Sequence, residues 1–343
     1  MHDPVFPKAQ VSAIRLLLQK GGVLCYHRDA DGTTSAAQLL KAFPGFEPHA
    51  LESPALDPGV RKIILEKKPG LVVFVDLAID QDAKALAQLR KATGARLLLI
   101  DHHPIVKDLN SRAVLHFNSH FRTQAYLPAS YLVWQLLARM RKPASPWIAA
   151  IGTYADYGSK ECPDVIRAAA RSGASWDDVV AGAELVTSAI TAKGNDGAKH
   201  ALKALTTAKS YGEFARDEKL QQWRTAVNAE LEKILSAAER TPAIGGLRIV
   251  TLTSKFNLVS LVSTILSERH PEEALIVRKK GEKGWKLSLR NQAGRVDVGA
   301  LARKATRGIG RGGGHAKAAG ALVSDWDLFE KRFRAQLAKH RKP

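Results

Sequence analysis

Leu97-Leu98-Leu99-Ile100-Asp101-His102-His103-Pro104 is an apolar run that stops at one acid and two imidazoles. Bounded by Gly94 before it and Pro104 after it, a run of this length suits a strand buried on both faces, as in a parallel sheet. Its polar end then emerges at the edge of the sheet. In open α/β sheets ligands sit at the carboxyl ends of the strands, so Asp101, His102 and His103 are candidate site residues. The plainer alternative is a loop with three polar side chains.

Working outward, the same pattern occurs twice more. Val23-Leu24-Cys25-Tyr26 follows Gly21-Gly22 and meets His27-Arg28-Asp29-Ala30-Asp31-Gly32. Ala36, Ala37, Leu39, Leu40 and Phe43 then fall at helical spacing, with Thr33 or Thr34 placed to cap the helix. Pro58 to Lys68 reads as a helix, Leu71 to Val75 as a strand ending at Asp76, and Gln81 to Ala92 as another helix. Three strands, separated by helices and each ending in an acid, predict an α/β fold: a parallel sheet with helices on both faces and acids clustered at its carboxyl edge.

From Pro128 onward the pattern is helical, over Ser130 to Met140 and Trp147 to Tyr154, and reaches a fourth acid among apolar neighbours, Asp156. Further helices are expected over residues 165–171, 176–190 and 197–209. Lys219 to Arg240 reads as one long helix ended by Thr241-Pro242. After Gly245-Gly246 strands return at 247–252, 274–277 and 285–289, with helices at 258–268 and 298–305. A glycine-rich loop at 308–320, a strand and a basic helix follow. The expected organisation is a catalytic domain over residues 1–210, a helical connector over 211–242, and a smaller α/β domain over 243–343.

The 343 residues suffice for two domains with real cores. An apolar fraction of 45% and a charged fraction of 25% are ordinary for a soluble globular chain. No apolar run approaches the ~20 residues of a membrane span, and Met1 to Lys8 lacks a signal-peptide apolar region. The expectation is a cytoplasmic protein without a membrane partner. Cys25 and Cys162 are too few for a disulfide scaffold or a zinc set, which fits a reducing compartment. The 52 basic against 33 acidic residues leave a net charge of +19. Such an excess favours a polyanionic partner through counterion release; the plainer alternative is a generally basic proteome.

If Asp29, Asp31, Asp76 and Asp156 converge, four ionised carboxylates repel and some must take up protons. Two divalent cations cancel that charge. Oxygen ligands with a few imidazoles suit Mn²⁺ or Mg²⁺ better than structural zinc. Asp29 and Asp31 are two apart in a loop, so each can face a different metal, while Asp76 on the central strand can bridge both. Two metals ~3.5 to 4 Å apart suit in-line displacement at phosphorus. His103, His315 and Arg290 are then candidates to hold the phosphate, with a protonated His103 assisting the leaving oxygen.

The ordered set His27-x-Asp29-x-Asp31-Gly32-x-x-Ser35, Asp76 after an apolar strand, Asp101-His102-His103, and Gly152-Thr153-x-Ala155-Asp156 resembles the four motifs of the DHH phosphoesterase superfamily. Gly312-Gly313-Gly314-His315 with Ala318-Ala319-Gly320 is similar to its DHH-associated C-terminal domain. The likeness spans roughly Val23 to Ser324. It implies manganese-dependent phosphodiester or phosphoanhydride hydrolysis in a cleft between two domains. His27, Asp29 and Asp76 would hold one metal, and Asp31, Asp76, His102 and Asp156 the other. Asp101 would orient a histidine and His103 would face the substrate phosphate. Arg290 and Ser288, with the loop from Gly312 to His315, would bind the nucleotide strand; for that loop a helix cap with a packed histidine is the plainer reading. The His27-Arg28-Asp29-Ala30-Asp31-Gly32 form is closest to the RecJ-like exonuclease branch. With only a short basic helix beyond the second domain, the chain resembles compact archaeal-type or nanoRNase-like members rather than long bacterial RecJ proteins.

The expected activity is hydrolysis at the end of single-stranded DNA or RNA, or of short oligonucleotides. The alternatives are a small-nucleotide phosphodiesterase or phosphatase acting on nanoRNA, cyclic dinucleotides or adenosine bisphosphate, a pyrophosphatase-like enzyme, and a non-catalytic nucleic-acid-binding or replisome-associated subunit. A homodimer, or a replication or repair partner, is compatible with the resemblance. His116 and His120 are four apart, but Asn118 and Ser119 between them suggest a loop rather than a ligand pair. Trp134, Trp147, Trp176 and Trp223 read as core. Tyr26, Phe256 and Trp285 are the better base-stacking candidates, and Lys339 to Lys342 reads as a solvated tail.

Overall fold

The computed structural model describes residues 5–53 and 55–339. The expectations for Met1 to Lys8 and for the Lys339 to Lys342 run therefore fall partly outside the described residues. The chain divides into two compact units, Met1–Arg224 and Thr225–Pro343.

The first unit is built on five parallel strands: β1 (Gly22–His27), β2 (Phe46–Leu51), β3 (Leu71–Val75), β4 (Arg96–Asp101) and β5 (Val114–Asn118), in the order β2-β1-β3-β4-β5. Every residue of β3 is buried. Alternation assigns its two faces to different cores: Val73 and Val75 join Leu24, Tyr26, Leu98 and Ile100 in one, while Val72 and Phe74 join Val23, Cys25, Leu97 and Leu99 in the other. Both faces are therefore covered, which is what keeps an all-parallel sheet out of water. The edge strands β2 and β5 were not legible as strands. β2 carries Pro48 and His49 and β5 is only partly buried, so neither has the continuous apolar run of a central strand.

The helices of this unit are α1 (Lys8–Leu18), α2 (Ala30–Ala42), α3 (Pro58–Lys67), α4 (Ala83–Thr93), α5 (Ala129–Arg139), α6 (Pro146–Ala155), α7 (Pro163–Arg171), α8 (Trp176–Lys193), α9 (Asn195–Thr207) and α10 (Tyr211–Ala215). The helix α11 (Glu218–Glu239) runs through the division between the units. Neither Thr33 nor Thr34 caps α2. Asp29 does so, its Oδ1 accepting the Gly32 amide at 2.8 Å, and the Thr34 hydroxyl turns back to the Ala30 carbonyl at 2.8 Å. Among the described residues no helix is long and apolar enough to cross a membrane.

In the strand order, β1 is flanked by β2 on one side and β3 on the other. The connection from β1 leads to β2 and that from β3 leads the opposite way to β4, so the carboxyl ends of β1 and β3 border the switch point, where open α/β sheets form a crevice. His27 ends β1 and Asp76 directly follows β3.

The second unit is a mixed sheet, in the order β6-β7-β8-β10-β9, of β6 (Leu247–Leu252), β7 (Ala274–Gly281), β8 (Gly284–Arg290), β9 (Gly310–Gly314) and β10 (Ala318–Val323). Only the β6/β7 pair is parallel. The helices α12 (Val259–Arg269), α13 (Val298–Ala305) and α14 (Trp326–Lys339) complete it. Leu289, Ile276, Leu301, Phe329 and Phe333 form the centre of its own core.

Asp156 is held in place by the close approach of α6 to α2 and α5. A Cβ on Gly152 would lie 2.0 Å from Thr34 Oγ1 and 2.7 Å from Ser130 Cβ. Gly152→Ala is expected to lower stability by about 1–3 kcal/mol through overpacking, read from the urea unfolding midpoint. An unchanged midpoint would show that α6 can move aside.

Candidate metal centre

Three strand ends and one helix end deliver the acids. His27 closes β1, and Asp29 caps α2. Asp31 lies in the first turn of α2 and is 2% exposed; its Oδ2 and Oδ1 accept the amides of Ala129 and Ser130 at 2.7 and 2.9 Å. One carboxylate thus satisfies amides of the α5 first turn that have no partner within their own helix. Asp76 follows β3 and donates its own amide to the Ile100 carbonyl at 2.9 Å. Its φ of 58° is left-handed, a region that Asp and Asn tolerate better than branched residues do. Asp101 ends β4, with His102 and His103 beyond it, and Asp156 is the residue after α6.

The side chains converge on Asp76. His27 Nδ1 lies 2.8 Å from Asp29 Oδ2 and 3.4 Å from Asp76 Oδ2. His102 Nε2 lies 3.2 Å from Asp76 Oδ1, 3.5 Å from Asp156 Oδ2 and 3.9 Å from Asp31 Oδ2. The two oxygens of Asp76 therefore face two different imidazoles. Three groups have ligand atoms mutually within 4.8 Å: His27, Asp29 and Asp76; Asp31, His102 and Asp156; and Asp76, Asp101, His102 and His103. Despite these short distances, His27 Nδ1 and Asp76 Oδ2 are buried without an aligned hydrogen bond. Two lone-pair atoms aimed together and left unbonded suit a shared cation, and a set of carboxylate oxygens with imidazoles suits a hard or borderline divalent one.

The electrostatics point the same way. Burial first, and then neighbouring carboxylates, push Asp31 and Asp76 above the ordinary carboxylate range. Burial is also the chief cause of the rise at Asp156. Burial works against the imidazolium of His27, yet Asp29 and Asp76 raise it to about 11. The same balance, with Asp76 and Asp31 as the partners, takes His102 to about 10. The cluster by itself holds protons in place of cations, as expected where like charges are forced together.

Asp101 Oδ1 lies 2.8 Å from His103 Nδ1. The His103 side chain is 37% exposed. Three supporting residues had no local sequence signal, because their partners are far along the chain. The Tyr126 hydroxyl donates to Asp156 Oδ2 at 2.6 Å, and its ring meets that of His102 edge-on at 5.3 Å. Asp80 Oδ2 accepts the amides of Val106 and Lys107 at 2.6 and 2.8 Å, pinning the segment after His103. Asn118 donates to the His103 carbonyl at 2.9 Å.

Ser288, Arg290, Gly312, Gly313, Gly314 and His315 belong to the second unit. Five of them, with Lys286 and Arg311, line a groove of about 790 Å³, and His315 is not part of that lining. Arg290 donates to Ser288 Oγ at 3.1 Å. Residues 312–314 are not a loop but part of β9, paired with β10. A Cβ on Gly312 would come within 2.9 Å of Ala321 and Thr306, so the glycines permit close packing of a strand that their composition disguises as a turn. His315 is exposed rather than packed. The stacking candidates are also corrected: Tyr26 and Phe256 are buried, and Trp285 packs against Arg278 and Trp326. His116 and His120 lie on β5 and a short 3-10 turn, with His116 packed against Phe121.

The fold has solved relatives. Exonuclease RecJ bound to manganese matches with a TM-score of 0.72 at 21% identity, over 100% of this chain and 96% of that one. RecJ from Thermus thermophilus in complex with Mn²⁺ matches with 0.71 at 18%, over 98% of this chain but 55% of that one, so this chain spans about half its length. An exopolyphosphatase-related protein from Bacteroides fragilis matches with 0.55 at 14%, over 99% and 100%. At these identities the likeness is one of fold. No curated protein matches the sequence. The family model for the N-terminal domain of the DHH family matches residues 23–156, and that for the DHHA1 domain matches 254–339. The chain belongs to the DHH superfamily of metal-dependent phosphoesterases, with a RecJ-like pairing of DHH and DHHA1 domains.

Proposed function

We propose that the protein is a two-metal, manganese-dependent phosphodiesterase that removes nucleotides from the end of single-stranded nucleic acid or short oligonucleotides. The observation that carries this reading is Asp76, whose two oxygens face separate imidazole and carboxylate groups at the switch point of the sheet. His27, Asp29 and Asp76 would hold one cation, and Asp31, Asp76, His102 and Asp156 the other. Mg²⁺ has the same preference for oxygen ligands. Such a pair supplies Lewis-acid polarisation of phosphoryl oxygens and neutralises charge on the entering and leaving groups.

The remaining roles belong to the chain itself. Asp101 accepts from His103 Nδ1, fixing the ring so that its other nitrogen can donate to a phosphate oxygen or to the leaving oxygen. Asn118 holds the His103 carbonyl, and Asp80 holds the backbone that follows it at Val106 and Lys107. Charge supports a polymeric substrate: residues 225–343 carry 23 Lys and Arg against 11 Asp and Glu, so +12 of the +19 lies in the second unit. There Ser288, Arg290 and residues 312–314 supply a groove that a phosphate backbone can follow. A purely structural nucleic-acid-binding subunit would not need the converging acids.

Asp76→Asn preserves shape and the left-handed φ while removing the shared charge. Its metal-free form is expected to melt above the metal-free wild type, because one buried like charge is gone. Mn²⁺ should raise the melting temperature of the wild type and fail to do so for the variant, and hydrolysis should fall by more than about a hundredfold, as when a charge-stabilising group is lost. An equal Mn²⁺ shift in both proteins would remove Asp76 from the centre.

Single-stranded DNA and RNA, labelled separately at the 5′ and 3′ ends and incubated with Mn²⁺, should shorten progressively from one end. Binding should weaken steeply with salt, with a slope of about −0.7 per phosphate contacted. A flat salt response together with cleavage of dinucleotides alone would indicate a small-nucleotide enzyme.

A further inference from the structure

Beside the acids, and wholly within residues 1–224, lies a pocket of about 220 Å³. Its lining joins Asp29, Asp31 and Asp156 to Arg28 and to Thr187, Ile190 and Thr191 of α8. Residues three and four apart share one face of a helix, so α8 presents two hydroxyl-bearing side chains with an apolar one between them.

The two hydroxyls lack the usual internal partner. Thr34, Thr93, Thr206 and Thr207 each donate to the carbonyl four residues earlier, at 2.7 to 3.0 Å, the common resting place of a helical threonine hydroxyl. Among the described residues, Thr187 and Thr191 make no side-chain hydrogen bond. Arg28 is fixed: its Nη1 donates to Asn195 Oδ1 at 2.8 Å and its Nη2 lies 2.9 Å from Glu52. Guanidinium donors remain for a further acceptor, since the group carries five N–H bonds. The pocket thus combines a phosphate-directed end at the acids, an anchored cation, two open hydroxyls and one branched aliphatic side chain. It is smaller than the ~300 to 1,000 Å³ that takes a drug-sized ligand, which suits a single sugar.

We propose that this pocket is a ribose subsite, and that Thr187 and Thr191 hydrogen-bond the sugar hydroxyls of the nucleotide whose phosphate lies at the acids. Ile190 packs against the sugar carbons and Arg28 donates to a phosphate oxygen. The inference rests on the phosphoesterase reading and deepens it, because the 2′-hydroxyl is the group by which a protein distinguishes RNA from DNA. The substrate class it selects is ribonucleotide.

The test compares wild type, T187V/T191V and, as a control outside the pocket, T206V. Calorimetry with Mn²⁺ present measures binding of adenosine 5′-monophosphate and its 2′-deoxy analogue, and kcat/KM is measured on RNA and DNA pentamers of one sequence. The wild type is expected to favour the ribose form about five- to tenfold in both, the scale of one neutral hydrogen bond. T187V/T191V should bring the ratio close to one, and T206V should retain it. A wild type that does not prefer the ribose form, or a ratio unchanged in T187V/T191V, would overturn the proposal. Should the wild type bind the monophosphate with this preference, lost in T187V/T191V, yet cleave neither pentamer, the subsite stands and the hydrolytic reading fails.

Discussion

The structure depends on burying like charges together. Asp31 and Asp76 are each 2% exposed, and Asp156 and Asp29 reach the same few ångströms from a helix end and a helix cap. No fold gains stability from such a cluster alone, since each carboxylate must either lose its charge or find a countercharge. What makes it tolerable is geometry set elsewhere: the fully apolar central strand β3, the close packing of α6 at Gly152, and helix starts whose amides bind Asp29 and Asp31. Asp76 is where these constraints meet. A left-handed φ directs it away from the line of β3, and its oxygens divide between two imidazoles.

Two chemical tasks are divided between the two units. The first concentrates negative charge at a sheet edge, where cations and a phosphate can be organised. The second carries most of the positive excess and a glycine-rich strand bordering a groove. Gly312, Gly313 and Gly314 of that strand line the groove, and Lys286, Arg290 and Arg311 supply charge there. The acid cluster and the basic groove are built from different residues, so substitutions in one need not disturb the other.

Much of this was legible from residue order because central parallel strands need continuous apolar runs, and the residues that end those runs must lie at one edge. Asp76, Asp101 and His102 follow from that requirement, whereas His27 enters with the motif resemblance. The edge strands β2 and β5 do not, because their positions relax the apolar requirement, and β9 escapes because its glycines imitate a turn. Tyr126, Asp80 and Asn118 also carry no signal in residue order. Each acts on a partner brought near only by the tertiary fold, as Tyr126 does on Asp156, 30 residues away. The stacking aromatics failed for the converse reason: Tyr26 and Phe256 satisfy the core, and aromatic residues beside a motif are more often packing than platform.

The most direct measurement is anomalous diffraction at the manganese edge from crystals grown with Mn²⁺. The account predicts two peaks about 3.5 to 4 Å apart, one against His27 and Asp29, the other against Asp31, His102 and Asp156, with Asp76 contacting both. A single peak, or two that Asp76 does not join, would contradict it.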